Sequence, residues 1–208
     1  MNVLLILQAF GIATLISFAG SVQLGPVNFG TIQTALSKDF KSALYFGFGG
    51  SLPELLYCGL AFGGANLIAK YDGLEAYLQY GTTVILFVFG IYLLLQKPSE
   101  KTDDKPERPG KRIWVGMTFG LMNPQLFPFW LIVVSNLRSY NILVDDNVFV
   151  QAGFVIGTAA GAFLLQYVVA LITTKKKDFL YAKLTRNYNQ VLGSVIILVA
   201  IIQLVVNL

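Results

Sequence analysis

The sequence predicts an all-α integral membrane protein of six transmembrane helices, arranged as two inverted three-helix repeats with broken helices in spans 1 and 4. Three observations carry this. Of 208 residues, 55% are hydrophobic and only 12% charged, with a mean hydropathy of +0.66, whereas a soluble domain is about one quarter charged. Charged residues are absent from 1–37, 76–96, 113–137, 147–174 and 187–208, and between Lys41 and Lys70 only Glu54 intervenes. Each stretch exceeds the roughly 20 apolar residues that cross a hydrocarbon core about 30 Å thick. Finally, glycine and proline interrupt the first and fourth stretches well inside their ends.

Span 1 begins at the N-terminus without a basic n-region, and its apolar run is longer than the 7 to 15 residues or so of a signal-peptide core, so it is expected to remain as an uncleaved span. As one straight helix its 37 uncharged residues would run about 55 Å. It must therefore break. Gly25-Pro26 is the place, because Pro26 lacks a backbone N–H and clashes with the preceding turn while Gly25 tolerates unusual dihedrals. The expectation is a helix ending near Leu24, a short unwound turn, and a second helical piece from about Asn28 to Ser37.

Span 2, residues 42–69, contains GGSLPELLYCGLAFGG and centres on Glu54. A carboxylate at the bilayer centre costs roughly 2.5 to 3.5 kcal/mol on insertion scales and normally faces a cavity or a partner. Its same-face neighbours on a helix are Gly47, Gly50, Ser51, Cys58, Ala61 and Ala65, all small, which turns the acid toward a closely packed helix. Leu52, Leu55, Leu56 and Phe62 mostly lie elsewhere around the helix. Pro53 is expected to free the carbonyl of Gly49 as an unpaired acceptor. Glu54 then reads two ways: a neutral acid bonded to a neighbouring helix, or a group for which a proton and a substrate amine compete, since burial disfavours the charged carboxylate and an arriving cation favours it.

Span 3 covers 76–96, and Lys97–Arg112 follows with ten charges, three prolines and a glycine, a solvated linker without apolar periodicity. It divides the chain into a first repeat, 1–96, and a second, 113–208. Three spans per repeat is an odd number, so related halves must sit in opposite orientations. LGPVNFG, Leu24–Gly30, and GLMNPQLF, Gly120–Phe127, each set a proline beside an asparagine. In span 4 the break is expected at Asn123-Pro124, with Pro128 weakening the same helix again. Unwound carbonyls at such breaks bind cations and half-helix N-termini bind carboxylates. Asn28, Asn123, Gln125 and Gln23 would orient a substrate without adding fixed charge, with Ser51 beside the acid.

In span 5, Gly153, Gly157 and Gly161 form a small-residue stripe for close packing, within one chain or between two copies, which leaves a homodimer open. Gln166, Gln203 and the aromatics read as interhelical hydrogen bonds, interface anchors or lipid-facing bulk. Span 6 is 187–208.

Thirteen of the fifteen Lys and Arg residues lie in the loops after spans 1, 3 and 5. Cytoplasmic loops are enriched in these residues, which places both termini outside the cytoplasm and explains a net charge of +4 without a nucleic-acid partner. With Cys58 as the lone cysteine and no histidine, there is no Cys/His metal site, dithiol relay or His-based triad. No cofactor, no bound metal and no enzymatic activity are expected.

GPVNFGTIQTALSKDFKSALYFGFGG, Gly25–Gly50, and GMTFGLMNPQLFPFW, Gly116–Trp130, make the chain similar to the LysE/RhtB family of amino-acid exporters over essentially its whole length. The resemblance implies proton-driven efflux of amino acids or related small metabolites across a bacterial inner membrane and marks Gly25, Pro26, Asn123 and Pro124 as motif positions. Two departures stand out: Val27-Asn28 replaces a second Gly-Pro, and Gln125 replaces the lysine that often follows Asn-Pro. The rival readings are a divalent-cation exporter, short of hard anionic ligands here, and a non-transporting membrane scaffold or assembly factor.

Overall fold

The computed structural model describes residues 3–22, 25–70, 74–95, 108–123, 125–140 and 147–177, with isolated positions between 190 and 204. Among them every regular element is a helix: α1 (Val3–Gly20), α2 (Pro26–Ser37), α3 (Phe40–Ser51), α4 (Pro53–Lys70), α5 (Leu74–Leu95), α6 (Pro109–Leu121), α7 (Leu126–Ser139) and α8 (Val148–Lys175). Helices α1 and α8 are each long and apolar enough to cross a membrane, and α6 with α7 does so as a pair bent by 66°. Large apolar side chains such as Leu4, Leu15, Val88, Ile156 and Leu164 stand exposed on the outside, where a bilayer rather than water accounts for them.

Span 1 is broken, four residues earlier than expected: α1 closes at Gly20, and α2 opens at Pro26 rather than near Asn28. Proline at the first helical position explains the earlier start, because the N–H it lacks has no intrahelical partner there. Gly25 before it is extended (φ −122°, ψ 172°). Span 2 is divided at Leu52 into α3 and α4. Leu52, between α3 and α4, keeps helical angles, and its N–H donates to the Gly49 carbonyl at 3.2 Å. The carbonyl expected to be orphaned by Pro53 is therefore paired through a tighter i to i+3 bond. Pro128 does not interrupt α7, since it falls in the first turn, where a missing N–H costs nothing.

Glycine sets the closest contacts. A side chain on Gly153, Gly157 or Gly161 of α8 would meet the backbone carbonyls of Ile6, Phe10 or Thr14 on α1, so the stripe packs inside one chain. Helix α6 lies as tightly on α3: a Cβ on Gly116 would strike the Phe46 carbonyl and one on Gly120 the Gly50 carbonyl. A core of Ala9 and Ala13, Cys58 and Phe62, Trp130 and Val134, Val150 and Phe154 is drawn from α1, α4, α7 and α8. Its rings meet edge to face, Phe62 on Phe154 at 5.7 Å and Trp130 on Phe154 at 6.0 Å.

At one end Asp39 caps α3 by accepting from Ser42 N–H at 2.7 Å. There Lys177 Nζ donates to the Lys38 carbonyl at 3.0 Å, bringing together the ends of spans 1 and 5.

Candidate functional site

The two breaks share one cavity of about 590 Å³ counting its open mouth. The turn after α1 contributes Gly20 and Ser21, and the start of α2 contributes Gly25, Val27 and Asn28. The end of α3 adds Gly50 and Ser51, α8 adds Ala162 and Gln166, and the second break adds Asn123, Gln125, Leu126 and Phe129. Every one of these residues is uncharged.

The polar groups are held in place by one another. Asn28 Nδ2 donates to the Ser21 carbonyl at 2.7 Å, from α2 back to the residue that follows α1. Gln166 Nε2 donates to Asn28 Oδ1 at 2.6 Å, and Thr31 Oγ1 donates to Gln166 Oε1 at 2.8 Å. In the second break Asn123 Oδ1 accepts from the Gln125 N–H at 3.3 Å, an Asx-type turn that the residue type favours. Ser51 Oγ returns its proton to the Gly47 carbonyl of its own helix at 2.7 Å.

Of the expected site residues, Asn28, Asn123, Gln125, Ser51 and Gly25 meet at the cavity. Pro26 starts α2 at its edge, and Pro53 starts α4. Gln23 and Pro124 lie outside the described residues. Glu54 is buried, at 4% exposure, but does not line the cavity. Its Oε2 accepts the indole N–H of Trp130 from α7. Two residues join it to the cavity: Ser51, one turn back along span 2, and Phe129, adjacent to Trp130 and in ring contact with it at 5.0 Å. Phe129 in turn lies against Gly20, where an added Cβ would come within 2.6 Å of its ring.

Helix α4 grips both sides of the second break. While Glu54 takes Trp130 of α7, Tyr57 Oη donates to the Leu121 carbonyl at the end of α6 at 2.7 Å. Of the roles expected of the aromatics, the interhelical hydrogen bond falls to Trp130, wholly buried, because an indole N–H in an apolar core needs an acceptor; the other is a place at the interface or against lipid. It fits Trp114, exposed on α6. Gln166 does make the interhelical bond expected of it, yet it also lines the cavity. Its signal in the sequence is that of an amide deep inside α8, eight residues beyond buried Thr158 with Ala162 between, on one helical face, whereas Gln151, the other amide of α8, lies in its first turns.

A family model described as LysE type translocator matches residues 18–207. No curated protein and no solved structure gives a significant match.

Proposed function

Because the chain belongs to the LysE type translocator family, and is thus a multi-pass membrane transporter, we propose that it exports amino acids or related small metabolites by proton antiport. The observation that carries the proposal is the cavity itself: the interruptions of spans 1 and 4 meet around one space that offers four carboxamides and no charged side chain, with a buried acid beside it. A zwitterion needs such a place. Its carboxylate is favoured at a helix N-terminus and its ammonium at helix C-terminal carbonyls, and here α1 and α6 end where α2 and α7 begin.

Glu54 is the proposed proton-carrying group. It sits on α4, which also holds the end of α6, and its partner Trp130 is the immediate neighbour of cavity-lining Phe129. A cargo shifts a conformational equilibrium only by binding its states unequally. A change at Phe129 is transmitted along α7 to the Glu54 contact, and loading or unloading the acid acts back along the same path. A hard divalent cation would seek carboxylate oxygens, which the cavity wall lacks.

In the proposed architecture, repeats 1–96 and 113–208 are related by inversion and joined by 97–112. The packing supports this, since α1, the first piece of broken span 1, runs against α8 of the other half, and α6, the first piece of broken span 4, runs against α3 of the first half. Each contact is built on glycine meeting a backbone carbonyl. The Lys177 to Lys38 contact places two basic loops on one face, in keeping with a cytoplasmic side there and with termini outside the cytoplasm of a bacterial inner membrane.

Efflux of labelled amino acids from proteoliposomes, with and without an imposed pH gradient, tests the proposal. The expected result is efflux of at least one amino acid that accelerates when the gradient is applied. Failure to move any amino acid, or a rate indifferent to the gradient, contradicts it.

A further inference from the structure

Resting on the transport reading above, we infer that Gln166 is a positioning residue for the cargo: from α8 it fixes the orientation of Asn28 and, through Asn28, the unwound turn that lines the cavity. The bonds run in one direction only. A carbonyl oxygen can accept but not donate, so the Ser21 carbonyl decides which end of the Asn28 amide points at it, namely Nδ2 at 2.7 Å. The Asn28 oxygen is thereby turned toward α8, where it takes the Gln166 Nε2 proton at 2.6 Å. That leaves the Gln166 oxygen as acceptor for Thr31 Oγ1 at 2.8 Å.

Thr31 donates to a side chain rather than to a backbone carbonyl. Thr34, Ser51, Thr118 and Thr174 each donate to the carbonyl four residues earlier in their own helix, the default for a helical hydroxyl. Thr31 leaves its helix for Gln166 instead.

The amide has no room to choose otherwise. Thr31 is wholly buried, Gln166 3% exposed and Asn28 6% exposed, so bulk water does not replace a lost partner. Gly47 of α3 closes the remaining side: a Cβ there would lie 2.6 Å from Gln166 Cβ and 3.6 Å from Thr31 Oγ1. Asn28 and Gln166 both line the cavity, so a fixed relay gives the cargo a fixed surface. Reversing the Asn28 amide would set its oxygen against the Ser21 carbonyl.

The test uses the full chain in proteoliposomes, and its probe is whichever labelled proteinogenic amino acid the wild-type protein moves fastest. Thr31→Val, which deletes one buried hydrogen bond, is expected to raise KM about tenfold, and Gln166→Leu, which deletes two, by about tenfold or more, while kcat changes little. Thr31→Ser, which keeps the hydroxyl, is expected to rescue KM. An unchanged KM in Gln166→Leu, or a loss confined to kcat or to the amount of folded protein, overturns the inference. Should Gln166→Leu not fold, Thr31→Val against Thr31→Ser decides alone, equal KM values overturning it. No amino-acid transport by the wild-type protein would instead defeat the transport reading on which the inference rests.

Discussion

Glu54 shows at the scale of one residue how a membrane interior keeps an acid. Its small neighbours along span 2, Gly50, Ser51, Cys58 and Ala61, are all buried, and it receives the indole N–H of Trp130, so the group lacks neither a wall nor a donor. The sequence reveals the wall, because Glu54 and its small neighbours share one helix and one periodicity. It does not reveal the donor. Trp130 is 76 positions away, and no local pattern says which of two tryptophans turns inward. The same holds for Thr31 and Gln166, 135 positions apart. If the Trp130 contact stabilises the fold, Trp130→Phe, which keeps a ring and deletes the N–H, should lower stability by about 1 to 3 kcal/mol. Glu54→Gln with Trp130→Phe should then cost less than the two single changes together, by about 0.5 kcal/mol or more. Strict additivity in detergent unfolding would show that the two groups do not interact.

Among the elements, the breaks of spans 1 and 4 fall at the expected glycine and proline motifs, while two other prolines act otherwise than expected: Pro128 leaves α7 uninterrupted and Pro53 leaves no orphaned carbonyl. Pro26 starts a helix, as its fixed φ and missing N–H demand. Pro53 was expected to strand the Gly49 carbonyl, but Leu52 moves to satisfy it, because a backbone acceptor in an apolar setting is costly enough to tighten a turn. The glycine stripe of α8 was legible as a packing device but not as a contact with α1, since periodicity identifies a face and never its partner. Its glycines also differ in consequence. Gly157→Ala should push α1 from α8 and cost about 1 to 3 kcal/mol, as overpacking does, because the new methyl meets the Phe10 carbonyl and lies 3.0 Å from Ala13 Cβ. Gly11→Ala, with nothing within 4 Å of the new atom, should stay within about 0.5 kcal/mol. Equal melting temperatures for the two variants would contradict the tight α1–α8 contact.

For the whole molecule, composition and charge spacing identify a membrane protein, and the short motifs point to the family. The cavity was only half legible: its amides come from spans 1, 4 and 5, and their convergence is a property of the bundle rather than of any segment. The proposed orientation has its own check. In a Cys58→Ala background, which removes the lone cysteine, Asn2→Cys and Asn207→Cys should react from the outside with a membrane-impermeant maleimide while Thr102→Cys in the linker should not. Reaction at Thr102 would reverse the topology. The central claim, that an acid beside an uncharged cavity ties cargo movement to proton movement, is met most directly by an entrapped pH-sensitive dye. In proteoliposomes of the wild-type protein, an outward amino-acid gradient should drive protons inward; with Glu54→Gln, folded and still able to exchange labelled for unlabelled cargo, the dye should stay silent. A dye signal in Glu54→Gln equal to that of the wild type would contradict the account.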